Sequence, residues 1–208
     1  VLIPALADFR QRFPDIVLTL SGDVSMSNLH QREADVAIRT RRPTQEDLVI
    51  RTLGSSTYRF YAHDKYLKDT VPEQWQLIEF KANARVLAWS QTLIKQYAYT
   101  IAFSTNDLYM ACHASRQKIG FALLPEFLAH QYPELTAIDP INRVPLTDLE
   151  THSSVDNYAT AEPLQPEQLD TPSPIPLAQS YPLYLVMHPD VRRSARVRAV
   201  ADWLIDCS

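Results

Sequence analysis

Arg39 and Thr40 close the apolar run ADVAIRT (34–40). At the carboxyl end of a buried strand, a guanidinium can fork onto a carboxylate or phosphate through two parallel N–H···O bonds. Asp23, Val24 and Ser25 follow the run IVLTL (16–20), again at a carboxyl end. A short helix starting near residue 26 would offer free backbone N–H groups there, a natural seat for an anion. Ser104, Thr105 and Asn106 open a longer helix and would give a ligand a wall of hydrogen-bonding groups. Each set also has a plainer use. Arg39 can pair with Glu46 or Asp47 at the surface, Ser25 can cap the short helix, and Ser104 to Asp107 are all cap formers. Tyr109 and His113 lie on later turns of the second helix, where packing or solvent contact is the commoner role. At this level both uses stay open.

Other chemistries lack their residues. The three glycines, Gly22, Gly54 and Gly120, are too dispersed for a phosphate-cradling loop or a nucleophile elbow. The six histidines, at 30, 63, 113, 130, 152 and 188, form no tight pair of metal-ligand type. Neither a metal nor a cofactor is expected. Cys112 beside His113 is not a dyad by adjacency, because nucleophile and base must meet in space; Cys112 reads as a small buried apolar residue. Cys112 and Cys207 are far apart, so the chain is neither a disulfide scaffold nor a zinc framework. A reducing, cytoplasmic compartment is the simpler reading, with one disulfide as the alternative. A net charge of −4 is no match for a phosphate backbone, and Arg39, Arg41 and Arg42 are too small a basic cluster to change that. Apolar runs are of strand length, short of a membrane span. The opening VLIPALADFRQRF has no basic n-region and no cleavage site, so no signal peptide is expected.

The elements that must position these residues follow from periodicity. Leu2, Leu6, Phe9 and Phe13 recur at helical spacing, and Pro14 ends the helix. IVLTL (16–20) and ADVAIRT (34–40) read as strands covered on both faces, with a short helix between them: a βαβ unit and hence a parallel sheet. LVIRTL (48–53) and YRFYAH (58–63) read as two strands around Gly54-Ser55-Ser56. A short helix at 64–67, a turn at Pro72, and strands at ARVLAW (84–89) and YTIAF (99–103) come next. A helix from the Ser104–Asp107 cap cluster to about Gln117, a strand IGFALLP (119–125), a short helix from Glu126 and LTAID (135–139) complete a second α/β unit. Residues 141–181 differ in kind, with six prolines, no glycine, six acids and one basic residue. This composition suits an irregular or extended insertion. PLYLVMHP (182–189) returns as a strand. The last helix sets Val197, Val200, Ala201 and Leu204 on one face, with Arg192, Arg193, Arg196 and Arg198 mostly on the solvated side.

These segments, taken in order, resemble one family. LIPALADFRQRFPDIVLTL (2–20), ADVAIRT (34–40), YRFYAHDKYL (58–67), NDLYMACHASRQKIGFALLPEFL (106–128) and PLYLVMHPDVRRSARVRAVADWL (182–204) are similar, in order and spacing, to the effector-binding domain of LysR-type bacterial transcription regulators. The resemblance implies an α/β fold of two Rossmann-like lobes, like a type II periplasmic binding protein, with an effector in an interlobe cleft. The segment pattern itself places lobe I at 1–62 plus 182–208, lobe II at 63–140 and the 141–181 insertion apart from both. The resemblance favours Thr40 as cleft-lining, because family members place ligand-contacting residues about there. It further implies a homodimer, with DNA bound only through an N-terminal winged helix-turn-helix that lies outside this chain. The family's first strand also falls outside it. Asp35 resembles the family's usual acid at that place and is read as closing a turn. Lys118 stands where members often carry a glycine, and 141–181 is far longer than their usual connection.

The expected function is therefore small-molecule sensing. The effector is expected to be a carboxylate or other anion, on the strength of Arg39 and the two helix N-termini. A solute-binding protein for uptake of a small anion is the alternative, separated by what precedes Val1: a helix-turn-helix segment or a signal peptide. An enzyme using Cys112 or a serine has no motif behind it, and no catalytic residue is assigned.

Overall fold

The computed structural model describes residues 2–22, 34–40, 42–45, 47–81, 84–146 and 175–207. In chain order its elements begin with α1 (Leu2–Arg12), β1 (Val36–Arg39), β2 (Val49–His63), α2 (Asp64–Asp69) and β3 (Gln76–Phe80). They continue with α3 (Ala84–Tyr97), β4 (Thr100–Thr105), α4 (Leu108–Arg116), β5 (Phe121–Pro125) and α5 (Glu126–Ala129). The last are β6 (Leu135–Asp139), β7 (Val144–Pro145), β8 (Gln179–Met187) and α6 (Ala195–Asp206). The chain divides into two compact units, Val1–Ser56 with Tyr181–Ser208, and Thr57–Ser180. Strands β2 and β8 carry it from one unit to the other.

In the first unit the strand order is β1-β8-β2. Strand β8 sends Leu185 and Met187 to one face and Val186 to the other, as period-two alternation requires. The first face packs against Phe9 of α1 and against Val197, Val200, Ala201, Trp203 and Leu204 of α6, with Phe9 and Trp203 ring centroids 4.8 Å apart. The apolar stripe expected of the last helix is the one it buries. Strand β1 runs antiparallel to β8, with Val36 opposite Met187 and Arg39 opposite Tyr184. It is thus not one arm of the parallel pair expected from 16–20 and 34–40, because its neighbour is the strand that returns at the end of the chain. Residues 16–20 form no strand, and Val17 and Leu20 are exposed. A strand needs a neighbour to take its N–H and C=O groups. Here Arg10 Nη1 donates to the carbonyls of Pro14 (3.4 Å) and Ile16 (3.1 Å) instead. The short helix expected near 25–29 lies outside the described residues.

The second unit is built on the order β2-β5-β3-β4, with β6 also on β2 and β7 on β6. Strand β3 is parallel to both β4 and β5, while β2 is antiparallel to β5 and β6. Alternation along β2 and β5 feeds two cores. Phe60, Phe121 and Leu123 join Trp89 and Leu93 of α3 on one side, and Tyr61, Ala122 and Leu124 join Ala111 and Cys112 of α4 on the other. A sheet covered on both faces in this way reads as near-continuous apolar runs.

Three segments depart from the sequence expectation. Residues 48–53 and 58–63 are one strand, β2, rather than two around a turn. Gly-Ser-Ser accepts extended backbone as readily as a turn, and ladders with β8, β5 and β6 hold it straight. Residues 84–89 are helical, because Val86, Trp89 and Leu93 recur at i, i+3, i+7 and all are buried. Strand β3, not anticipated, is buried from Leu77 to Phe80.

Candidate functional site

Parallel strands put their carboxyl ends along one edge, and in the second unit that edge is formed by β3, β4 and β5. Register pairs Glu79 with Ser104 and Phe80 with Thr105. The backbone N–H of Lys81 donates to the Thr105 carbonyl at 2.8 Å, closing the β3–β4 ladder at its end. Open α/β sheets bind ligands outside such an edge.

Of the residues expected here, each has a different task. The Ser104 hydroxyl donates to Glu79 Oε2 at 2.8 Å, so it does not cap α4. Thr105 Oγ1 accepts from the Asp107 N–H at 3.0 Å, turning the chain into the helix. Asn106 is exposed, and its side-chain amide has no partner among the described residues. Asp107 is the N-cap: φ −110° and ψ 123° are non-helical, and its carboxylate accepts from the Met110 N–H at 2.8 Å. The chain's own carboxylate thus takes one of the free N–H groups at the amino end of α4. Tyr109 and Met110 are exposed on its first turn.

Four charged groups at this edge escaped the sequence reading. Glu79 has a side chain 7% exposed, and Lys81 Nζ lies 3.5 Å from its Oε2. Arg59, 2% exposed, donates from Nε to Glu126 Oε1 at 2.6 Å, and Glu126 is the residue that follows the end of β5. Burial pushes the nearby Tyr61 phenol well up, Glu126 pushes it the same way and Arg59 opposes them, so the ring stays neutral. The available signal was a lone acid inside the apolar run LIEF and a lone arginine inside YRFYA.

In the first unit, Arg39 ends β1 half-buried and Thr40 follows in an exposed bend. Asp47, offered above as a partner for Arg39, has its carboxylate 3.9 Å from His188 Nε2. Asp23, Val24, Ser25 and Glu46 lie outside the described residues. Cys112 is buried in α4, and burial pushes its thiol up to about 11, the opposite of what a nucleophile needs. Among the described residues no group of three or more His, Cys, Asp or Glu side chains is placed to hold a metal ion. No described helix is long and apolar enough to cross a membrane.

The LysR substrate binding domain family matches residues 1–151. The chain belongs to this family. It is an effector-sensing regulatory domain of the LysR type, and the uptake alternative is not favoured. The match ends inside the acidic stretch 141–181. The fold agrees with solved LysR structures, which share the type II periplasmic-binding-protein-like architecture. CrgA from Neisseria meningitidis, a LysR-type transcriptional regulator, superposes with a TM-score of 0.68 at 22% identity over 99% of this chain. This chain spans 63% of that CrgA chain, and 91% of the CrgA regulatory domain solved alone, which is 21% identical with the same TM-score. The full-length virulence activator AphB from Vibrio cholerae matches over 100% of this LysR domain and 63% of its own chain, with a TM-score of 0.63 and 15% identity. No curated protein matches the sequence.

Proposed function

We propose that this LysR domain senses a small carboxylate or related anion without turning it over. In a longer regulator its effector would shift an equilibrium between conformations that DNA-binding domains outside residues 1–208 read. The proposed contacts are Arg39 and Thr40 with Asp23, Val24 and Ser25 in the first unit, and Ser104, Thr105 and Asn106 in the second. A cytoplasmic homodimer is part of the proposal, in keeping with a family of oligomeric regulators.

The family match over residues 1–151 is the observation that carries the sensing role. The anionic effector rests on Arg39 as the residue that closes β1, since a guanidinium can fork onto a carboxylate. With α4 capped by Asp107, Arg39 is left as the main basis for the charge of the ligand. Absence of catalysis is supported by a family of regulators and by the raised Cys112 thiol.

A thermal-shift screen of small acids, amino acids and neutral metabolites tests the proposal. A ligand at about a hundredfold its Kd stabilises by about 2.7 kcal/mol. For a chain of this size that corresponds to a rise of roughly 5–10 °C. The expected hits are acids, and Arg39→Ala should abolish their effect. Stabilisation by neutral or cationic compounds alone contradicts the proposal.

A further inference from the structure

Glu79 is hard to explain as part of a packed strand. Its neighbours Leu77, Ile78 and Phe80 are all buried and apolar. An apolar residue of similar size would fill the same place without the desolvation of a charge, and such replacements are often neutral or stabilising. Yet a carboxylate sits there with its side chain 7% exposed. Ionised, it offers about four acceptor sites. The contacts it has are the Ser104 hydroxyl at 2.8 Å and Lys81 Nζ at 3.5 Å, both on Oε2, and Lys81 is 57% exposed. Oε1 has no hydrogen-bond partner among the described residues. Oε1 is not sealed from solvent, so a donor from outside the protein can reach it. It stands in register with Ser104, at the edge where ligands of α/β sheets bind.

We infer that Glu79 recognises a donor on the effector: Oε1 accepts a hydrogen bond from an ammonium or hydroxyl group of the bound molecule. The effector is then an amino acid or a hydroxy acid, not a plain carboxylate. The inference rests on reading the Ser104–Asn106 edge as an effector site. Charge at this edge points the same way. A plain anion brought here meets the carboxylates of Glu79 and Asp107 against the single ammonium of Lys81, and the N–H of Met110 is already bonded to Asp107. A donor on the ligand turns the first of these from a repulsion into a contact. The Ser104 hydroxyl, by fixing Oε2, holds the carboxylate in place for that contact. Sites built to hydrogen-bond a ligand group reject analogues lacking it, because the buried partner is then left unpaired.

The test is calorimetric titration and thermal shift of the full chain with matched acids: propionate, succinate and glutarate against lactate, malate, alanine, aspartate and glutamate. The expected result is that at least one amino or hydroxy acid binds tenfold or more tighter than its parent acid. In Glu79→Gln, which keeps an acceptor for Ser104, that ratio should fall toward one. Equal binding of parent and substituted acids to the wild-type chain overturns the role of Glu79 and leaves the carboxylate reading standing. A preference that survives Glu79→Gln overturns it as well. No response to any acid overturns the carboxylate reading and this inference together. The wild-type ratio needs no variant, so a Glu79→Gln chain that failed to fold would still leave a decisive comparison.

Discussion

Lys118 holds φ at 62°, in the left-handed region just past the end of α4. A side chain there costs roughly 1 kcal/mol, because Cβ crowds the following carbonyl. Two residues on, a Cβ at Gly120 would clash with the backbone carbonyl oxygen of Gln76. The two positions thus need glycine for different reasons, one for its backbone freedom and one for its lack of a side chain. Lys118→Gly should raise stability by about 0.5–1 kcal/mol, and Gly120→Ala should lower it by about 1–3 kcal/mol, both read from urea denaturation midpoints. A loss in Lys118→Gly would contradict the backbone assignment. This place was legible only through the resemblance, which set a frequent glycine against Lys118 and left the local backbone open. Glu79 was less legible. A lone acid in LIEF is visible, but whether it faces solvent, a partner or a ligand edge depends on the register of β3 against β4, which one sequence does not encode locally.

Among the elements, α3 separates two readings of the same residues. ARVLAW taken alone alternates well enough for a strand, and only the longer window to Leu93 brings out the helical period. Leu93 is fully buried against the sheet, and Lys95 one turn-half away is exposed. Leu93→Ala should cost about 2–5 kcal/mol, whereas Lys95→Ala should stay within about 0.5 kcal/mol of wild type. Equal effects on the denaturation midpoint would mean that α3 does not bury the face described here. Elements with long, regular patterns or explicit punctuation, such as α1, α4, β5 and α6, were legible at nearly their observed bounds. Those that depended on distant partners were not. Residues 16–20 have the composition of a strand and lack its ladder, and β2 passes straight through a Gly-Ser-Ser sequence that locally suggests a turn.

For the whole molecule, the chain leaves the first unit along β2 and comes back along β8. The return was readable because an apolar strand and an amphipathic helix follow the acidic stretch, and a helix with one apolar stripe must bury it somewhere. The family match then turns an α/β architecture that serves many chemistries into a sensing domain. As proposed, such a domain binds its ligand without converting it. The decisive measurement is to incubate the chain with the best acid from the screen, follow heat by calorimetry and recover the ligand afterwards. One saturable binding event, lost in Arg39→Ala, is expected, with the ligand recovered unchanged. A ligand converted to product at a rate that Cys112→Ala abolishes would contradict it.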